Sequence, residues 1–165
     1  MNIRIAGTYQ LPFGRGRKFG HDVHPVVDAV IGGWTTSHMY MFNNGPLLTF
    51  GGMLASGDPK IDNPTRDQWF DTSKFQRLPA YTPRLNPWYY SGLRGPGMWN
   101  IDSTLSKYFT ITERTKIEFR MEFYNMTNTF MPGGINADVN SSNFGKSTTM
   151  ANYGREIQYT ARFHF

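Results

Sequence analysis

The last ten residues of the chain, Glu156–Phe165, alternate between apolar and polar side chains without interruption and end on an aromatic residue. A period of two places each set of side chains on its own face of a β-strand. A tilted strand needs about 9–11 residues to cross a bilayer, and aromatic side chains collect at the membrane–water interface. The sequence therefore predicts a terminal strand over residues 153–165 that is long enough to cross a membrane.

Four segments further upstream also have the composition or the alternation of strands, and they cover residues 2–11, 33–43, 98–111 and 115–126. Only Thr112–Arg114 separates the last two of these segments, which predicts a tight hairpin. A short helix is predicted over residues 25–31, because Pro25 suits a first helical turn and the glycines after Ile31 suit a helix end.

The alternation also predicts which side chains point to lipid and which point to an aqueous lumen. In the last two strands the apolar positions are predicted to face lipid: Ile117, Phe119, Met121, Phe123, Ile157, Tyr159, Ala161 and Phe163. Their charged and polar neighbours are predicted to face the lumen. Ser103 and Lys107 interrupt the pattern of residues 98–111, and Lys107 is expected to extend to the interface.

Composition agrees with strands and argues against membrane-spanning helices. The 165 residues have a mean hydropathy of −0.50, and no run of about 18 apolar residues exists. Transmembrane strands are only half apolar, so such a chain averages out as polar. Aromatic residues make up 16% of the sequence, as interfacial girdles require. The predicted fold is an antiparallel transmembrane β-barrel segment of about five strands.

The connections follow the pattern of bacterial barrels, in which short turns alternate with long extracellular loops. Two long loops are predicted, Gly45–Gly97 and Phe130–Asn152, and both fall on the same end of the strands. The N-terminal residues Met1–Ile5 contain no apolar signal sequence, although a barrel must be exported. The chain is therefore expected to be part of a longer polypeptide.

A series of short motifs in this order resembles the C-terminal end of Oar-like TonB-dependent outer-membrane receptors of the carboxypeptidase-regulatory-like family. The motifs are Leu11–Arg17, Ile31–Trp34, Trp69–Asp71 with Phe75, Leu93–Asp102, Phe119–Asn128, Asn143–Gly145 and Arg155–Gln158. The last eight residues also resemble the barrel-assembly signal of outer-membrane proteins, carried by Gln158, Phe163 and Phe165. Thr160 stands where that signal usually has glycine.

The resemblance implies a barrel of about 22 strands closed around a plug, which imports a bulky peptide, saccharide or chelate with energy delivered through TonB. Residues 1–165 would be the C-terminal part of that barrel, and the plug, the N-terminal domain and the signal peptide would lie outside them. The implied location is the Gram-negative outer membrane. The implied partners are membrane lipid, the barrel-assembly machinery, TonB through the N-terminal regions, and a ligand that the sequence does not identify.

Five aromatic residues of the first long loop are candidate ligand contacts: Trp69, Phe70, Trp88, Tyr89 and Tyr90. Aromatic rings offer a large contact area at low entropic cost. The same rings could instead pack the loop against the barrel rim. An alternative function is a soluble, secreted β-sandwich that binds carbohydrate through loop aromatics, namely Trp69, Trp88, Tyr89 and Tyr90.

Other patterns predict no chemistry. Gly14–Lys18 is basic, but no stacking platform for nucleic acid accompanies it, so a solvated turn is expected. His21 and His24 have no third ligand at a suitable spacing. Glu118, Arg120 and Glu122 are expected to pair with charges on neighbouring strands or to face water rather than to act as acid and base. The aspartates of the first long loop miss the EF-hand spacing. No enzyme activity, metal or cofactor is expected.

Overall fold

The computed structural model describes residues 1–165 and confirms the predicted fold class. It has seven strands and one helix, together with a 3-10 turn at Thr72–Lys74. In chain order these are β1 (Asn2–Gln10), α1 (Pro25–Ile31), β2 (Trp34–Asn43), β3 (Met53–Ala55), β4 (Phe75–Arg77), β5 (Met98–Thr110), β6 (Lys116–Tyr124) and β7 (Glu156–His164). Neither α1 nor the 3-10 turn has the length and hydrophobicity of a membrane-spanning helix.

The five long strands form one open sheet in the order β1-β2-β5-β6-β7. The pairs β5–β6 and β6–β7 are antiparallel. The sheet leaves β1 and β7 as edge strands, each paired on one side only. Since unpaired edges are avoided in membranes by closing the sheet, this arrangement suits a segment of a barrel wall.

The register of β6 and β7 places the predicted apolar residues on a single face. Ile117, Phe119, Met121 and Phe123 lie directly opposite Phe163, Ala161, Tyr159 and Ile157. Directly opposed residues of an antiparallel pair project to the same side of the sheet. We call this the apolar face. That the apolar face contacts lipid stays a prediction.

The opposite side of the sheet, which we call the charged face, carries an ion-pair network along β6. Arg120 Nη2 lies 2.8 Å from Glu118 Oε1, and Arg120 Nη1 lies 3.7 Å from Glu122 Oε1. His164 Nε2 on β7 lies 3.3 Å from Glu118 Oε2. The sequence predicts partners on neighbouring strands, which the His164 contact matches. The ion pairs of Arg120 lie within β6 itself and were not predicted.

That Lys107 extends to the membrane interface stays a prediction, and the structure shows where its ammonium is bound. Its register partner is Phe119, so it lies on the apolar face, and it is only 5% exposed. Its ammonium donates to the carbonyl of Ala29 at 2.6 Å, in the last turn of α1. The local sequence gave no sign of this contact, because the two residues are 78 positions apart.

The chain divides into two compact units. The sheet unit comprises Ile3–Met41, Asn100–Thr129 and Gly154–Phe165, and the loop unit comprises Met1–Asn2, Phe42–Trp99 and Phe130–Tyr153. Most of the loop unit corresponds to the two predicted long loops. It also contains a second small sheet, in which β3 pairs antiparallel with β4. Strands of three residues are too short to be recognised by alternation.

Candidate functional site

The loop unit is organised around an aromatic core. Its buried residues are Leu48, Phe50, Met53, Phe70, Phe75 and Leu93. The Phe50 and Phe75 rings stack with centroids 5.2 Å apart, and the edge of Phe70 meets Phe50 at 5.4 Å. Phe144, from the segment that connects β6 to β7, meets Phe70 at 5.2 Å. Both connecting segments thus share one hydrophobic cluster rather than lying as separate open loops.

Three of the five predicted ligand-contact residues belong to this core or its edge. Phe70 has no exposed surface, so it cannot contact a ligand in this conformation. Trp69 packs against the cluster, and its Nε1 donates to the Arg94 carbonyl at 2.7 Å. Tyr90 also packs against the cluster, with its ring edge 5.5 Å from Phe50. These three side chains hold the loop unit together.

The remaining two predicted contact residues are exposed. Trp88 is 62% exposed and Tyr89 is 52% exposed. The guanidinium of Arg84 lies over the Trp88 ring at 4.1 Å from its centroid. A cation over an aromatic face is attracted by the ring quadrupole. Arg84 therefore orients the indole, which stays largely open to solvent.

The backbone beneath Trp88 is fixed by Asn86, a residue that sequence reasoning missed. The Asn86 side chain is buried, and its amide donates to the carbonyls of Gly51 and Pro87, both at 3.0 Å. Its oxygen accepts from the Met53 amide at 3.1 Å. The Trp88 carbonyl in turn accepts from the Phe50 amide at 3.0 Å. The exposed aromatic pair is thus presented by a segment tied to the core.

A cleft of about 300 Å³ adjoins this segment, and Leu54, Ala55, Gly57, Leu85, Asn86, Pro87 and Tyr90 line it. The Tyr90 hydroxyl is buried and has no hydrogen-bond partner. Burial raises the pKa of Tyr90, while the nearby Arg84 charge opposes that shift. An unsatisfied hydroxyl is costly to bury. No signal in the sequence distinguishes Tyr90 from Tyr89 in this respect.

A second, wider cleft of about 450 Å³ lies between the two connecting segments of the loop unit. Thr49, Gly51, Gly52, Met53, Asn136, Ala137, Asp138, Val139 and Asn140 line it. Its polar groups are mostly engaged locally. Asn136 Oδ1 accepts from the Asp138 amide at 2.9 Å, and Asp138 Oδ1 accepts from the Asn140 amide at 2.9 Å.

The other candidate groups have structural contacts. His21 Nδ1 bonds to Asp22 at 2.7 Å, and His24 Nδ1 accepts from the Val26 amide at 3.3 Å as the helix cap of α1. The Asp71 carboxylate accepts from both the hydroxyl and the amide of Ser73, at 2.6 and 3.0 Å. No group of three or more His, Cys, Asp or Glu side chains is placed to hold a metal ion.

The residues of the predicted assembly signal lie on and beyond the edge strand β7. Gln158 is opposite Glu122 on the charged face, and Phe163 is opposite Ile117 on the apolar face. Phe165 follows the strand and is fully exposed. All three are therefore accessible from the unpaired side of β7, and recognition by an assembly machine stays a prediction.

The comparison with protein families agrees with this architecture. A family model described as an outer membrane beta barrel domain matches residues 1–158. No curated protein and no solved structure gives a significant match to the sequence. The match covers nearly the whole chain, including all of β1, β2, β5 and β6. The chain therefore belongs to the outer membrane beta barrel domain family, and its location is the outer membrane.

Proposed function

We propose that this chain is the C-terminal wall of an Oar-like TonB-dependent outer-membrane receptor, in which the loop unit binds a bulky ligand at the cell surface. Residues 1–165 then form one part of a larger barrel, whose plug and TonB-contacting segment belong to preceding regions of the polypeptide. The motif series from Leu11–Arg17 to Arg155–Gln158 supports this assignment within the outer-membrane family.

The observation that carries the proposal is the folded loop unit. Long loops in compact proteins are usually functional, and here two of them pack around a common aromatic core. Building such a core costs conformational entropy that a simple connection between strands would not require. A stable platform that presents Trp88 and Tyr89 is what a ligand receptor needs.

The open sheet supports the proposal that the wall is incomplete. Membrane barrels have at least about eight strands, whereas the sheet here has five. Strands supplied by the rest of the barrel would pair with the edges of β1 and β7. The alternative of a soluble β-sandwich does not fit membership of an outer-membrane family.

The proposed ligand class follows from the exposed groups. Trp88 and Tyr89 offer exposed ring faces, and a cleft of about 300 Å³ adjoins them. Flat apolar rings and peptide or sugar hydroxyl groups match these surfaces. We therefore expect a saccharide or peptide rather than a bare ion.

Uptake of fluorescein-labelled oligosaccharide and oligopeptide pools by cells that produce the full-length protein tests the proposal. We expect uptake of at least one pool to disappear when TonB is deleted. The double variant Trp88→Ala/Tyr89→Ala should reduce that uptake, while the control Tyr153→Ala, at another exposed tyrosine of the loop unit, should not. Uptake that does not depend on TonB would contradict the receptor assignment. Equal uptake by both variants would contradict the ligand site alone.

A further inference from the structure

The connection between β1 and β2 places α1 against the apolar face of the sheet. Lys107 lies on that face, and its ammonium bonds to the carbonyl of Ala29 in α1. Trp34 Nε1 donates to the Val30 carbonyl at 2.8 Å, and the Trp34 ring meets the edge of Phe119 at 6.2 Å. The last turn of α1 is therefore held by two side chains of the apolar face.

The residues that precede α1 in the β1–β2 connection hold the side of the helix that carries Asp28. The Asp28 carboxylate accepts a hydrogen bond from the Arg15 amide. A Cβ atom added at Gly14 or Gly32 would collide with that carboxylate, so both glycines are needed for the close approach. With the last turn and the Asp28 side engaged, the rotation of α1 about its axis is fixed.

This rotation leaves an apolar stripe of α1 exposed. Val26, Val27 and Val30 are 67%, 45% and 65% exposed. Positions i and i+4, and positions i and i+3, are neighbours on a helix surface, so the three valines form one contiguous patch. They lie on a helix that is docked on the apolar face through its backbone carbonyls.

The rest of the connection adds positive charge and aromatic surface. Arg15, Arg17 and Lys18 are exposed, and Phe13 and Phe19 are roughly half exposed with their rings 5.6 Å apart. Basic side chains beside apolar and aromatic ones are the combination that binds membrane interfaces and anionic headgroups.

The ammonium group of Lys107 explains why α1 docks on the apolar face. A lysine ammonium on a lipid-contacting surface is costly unless acceptors satisfy it. The carbonyls at the end of α1 supply those acceptors, and the helix dipole favours a cation at that end. Docking of α1 therefore shields the Lys107 ammonium from acyl chains.

We propose that α1 and the Arg15–Lys18 segment form a lipid-binding surface for the anionic phospholipid leaflet at the periplasmic end of the strands. The valines of α1 enter the headgroup–acyl boundary, and the basic side chains contact lipid phosphates. The connection between β5 and β6 is short, and short connections of outer-membrane barrels lie on the periplasmic side. Lys107, close to that end of β5, bonds to α1, so α1 lies at the same end of the sheet. This inference rests on the proposed function, because it requires the apolar face of the sheet to contact lipid.

Single-cysteine labelling of the full-length protein tests this surface, with its other cysteines, if any, replaced; residues 1–165 contain none. A bimane probe is placed at Val30, at Tyr159 on the apolar face of β7, or at Glu113 in the exposed β5–β6 turn. The protein is reconstituted in phosphatidylethanolamine vesicles, with or without phosphatidylglycerol, that carry a nitroxide on the acyl chain. We expect nitroxide quenching at Val30 and Tyr159, and iodide quenching only at Glu113.

The possible results distinguish two claims: that α1 contacts lipid, and that the apolar face of the sheet contacts lipid. Quenching by nitroxide at Tyr159 but not at Val30 overturns the role of α1 and leaves the facing intact. Quenching at neither position shows that the facing itself is wrong. Protection of Val30 from both quenchers would mean that another protein segment covers the helix, which also overturns the proposal.

A charge variant tests the anionic specificity. Phosphatidylglycerol should increase nitroxide quenching at Val30, and Arg15→Gln/Arg17→Gln/Lys18→Gln should abolish that increase without changing quenching at Tyr159. An increase that persists in the triple variant contradicts the assignment of phosphate contacts to these residues.

Discussion

Glu118 and Arg120, two residues apart on the charged face of β6, form an ion pair in which Nε and Nη2 of the guanidinium both donate to the same carboxylate oxygen, at 3.2 and 2.8 Å. Glu118 is only 3% exposed, and its other oxygen lies 3.3 Å from His164 Nε2. A buried carboxylate needs such partners, because an unpaired one is strongly destabilising. The ion pair therefore allows a charged residue, Glu118, to be buried in the barrel wall.

Removal of Arg120 should be costly because it leaves the Glu118 carboxylate with a histidine as its remaining close partner. We expect Arg120→Met to lower the free energy of unfolding by about 3 kcal/mol. This value is at the lower end of the range for breaking a buried ion pair, because water reaches part of the arginine side chain. Urea unfolding of the full-length protein in lipid vesicles measures the change. The double variant Glu118→Gln/Arg120→Met should recover part of the loss. Equal losses in the single and double variants would show that the pair is not coupled.

Phe70 and Trp88 should respond to truncation in opposite ways. Phe70→Ala removes the centre of the aromatic core and should destabilise the loop unit by about 3–5 kcal/mol. Trp88→Ala removes an exposed ring that stacks with Arg84, and should cost less than about 1 kcal/mol. Hydrogen exchange of amides in residues 42–99 measures both effects. Similar protection in the two variants would contradict the assignment of Phe70 to the core and of Trp88 to the surface.

Asp71 gives the loop unit a defined acid sensitivity. The hydrogen bond from the Ser73 hydroxyl, with help from the Ser73 amide and the Lys74 charge, lowers the pKa of Asp71 below its ordinary value, against a smaller opposing effect of desolvation. A carboxyl group with a lowered pKa in the folded state contributes stability above its unfolded pKa and loses it as the pH falls through the folded pKa.

The contribution of Asp71 should therefore be complete at neutral pH and disappear in acid, below the ordinary aspartate range. In Ser73→Ala the pKa of Asp71 should rise toward that range. A carbon-detected NMR titration of the Asp71 carboxyl group in both proteins measures the difference. An unchanged titration midpoint in the variant would show that the Ser73 hydroxyl does not set it.

The long strands could be predicted from the sequence because their signal is local and repeated. β6 and β7 alternate over nine residues each, and the observed bounds differ from the predicted ones by a few residues at most. α1 has the predicted bounds, since proline and glycine mark its two ends. Local signals of this kind do not depend on what the rest of the chain does.

The interior of the loop unit could not be predicted because its contacts join distant positions. Phe70 and Trp88 look alike in the sequence. The packing of Phe50, Phe75 and Phe144 against Phe70 shows which of the two is buried. The roles of Asn86 and Lys107 have the same origin, because their partners are separated from them by many residues. Short strands such as β3 add no periodic signal.

We expect the sheet to be a membrane wall whose apolar face contacts lipid, and adjacent residues in the middle of β5 test this facing most directly. Leu105 lies opposite Met121 on the apolar face, while Thr104 lies opposite Glu122 on the charged face. An arginine at a lipid-facing midplane position costs about 2–4 kcal/mol, whereas an arginine at position 104 gains a carboxylate neighbour.

We therefore expect Leu105→Arg to reduce strongly the amount of full-length protein assembled in the outer membrane, and Thr104→Arg to leave it near the wild-type level. Quantification of the heat-modifiable, folded form in purified outer membranes measures both. Equal assembly of the two variants, or a larger loss for Thr104→Arg, would contradict the account.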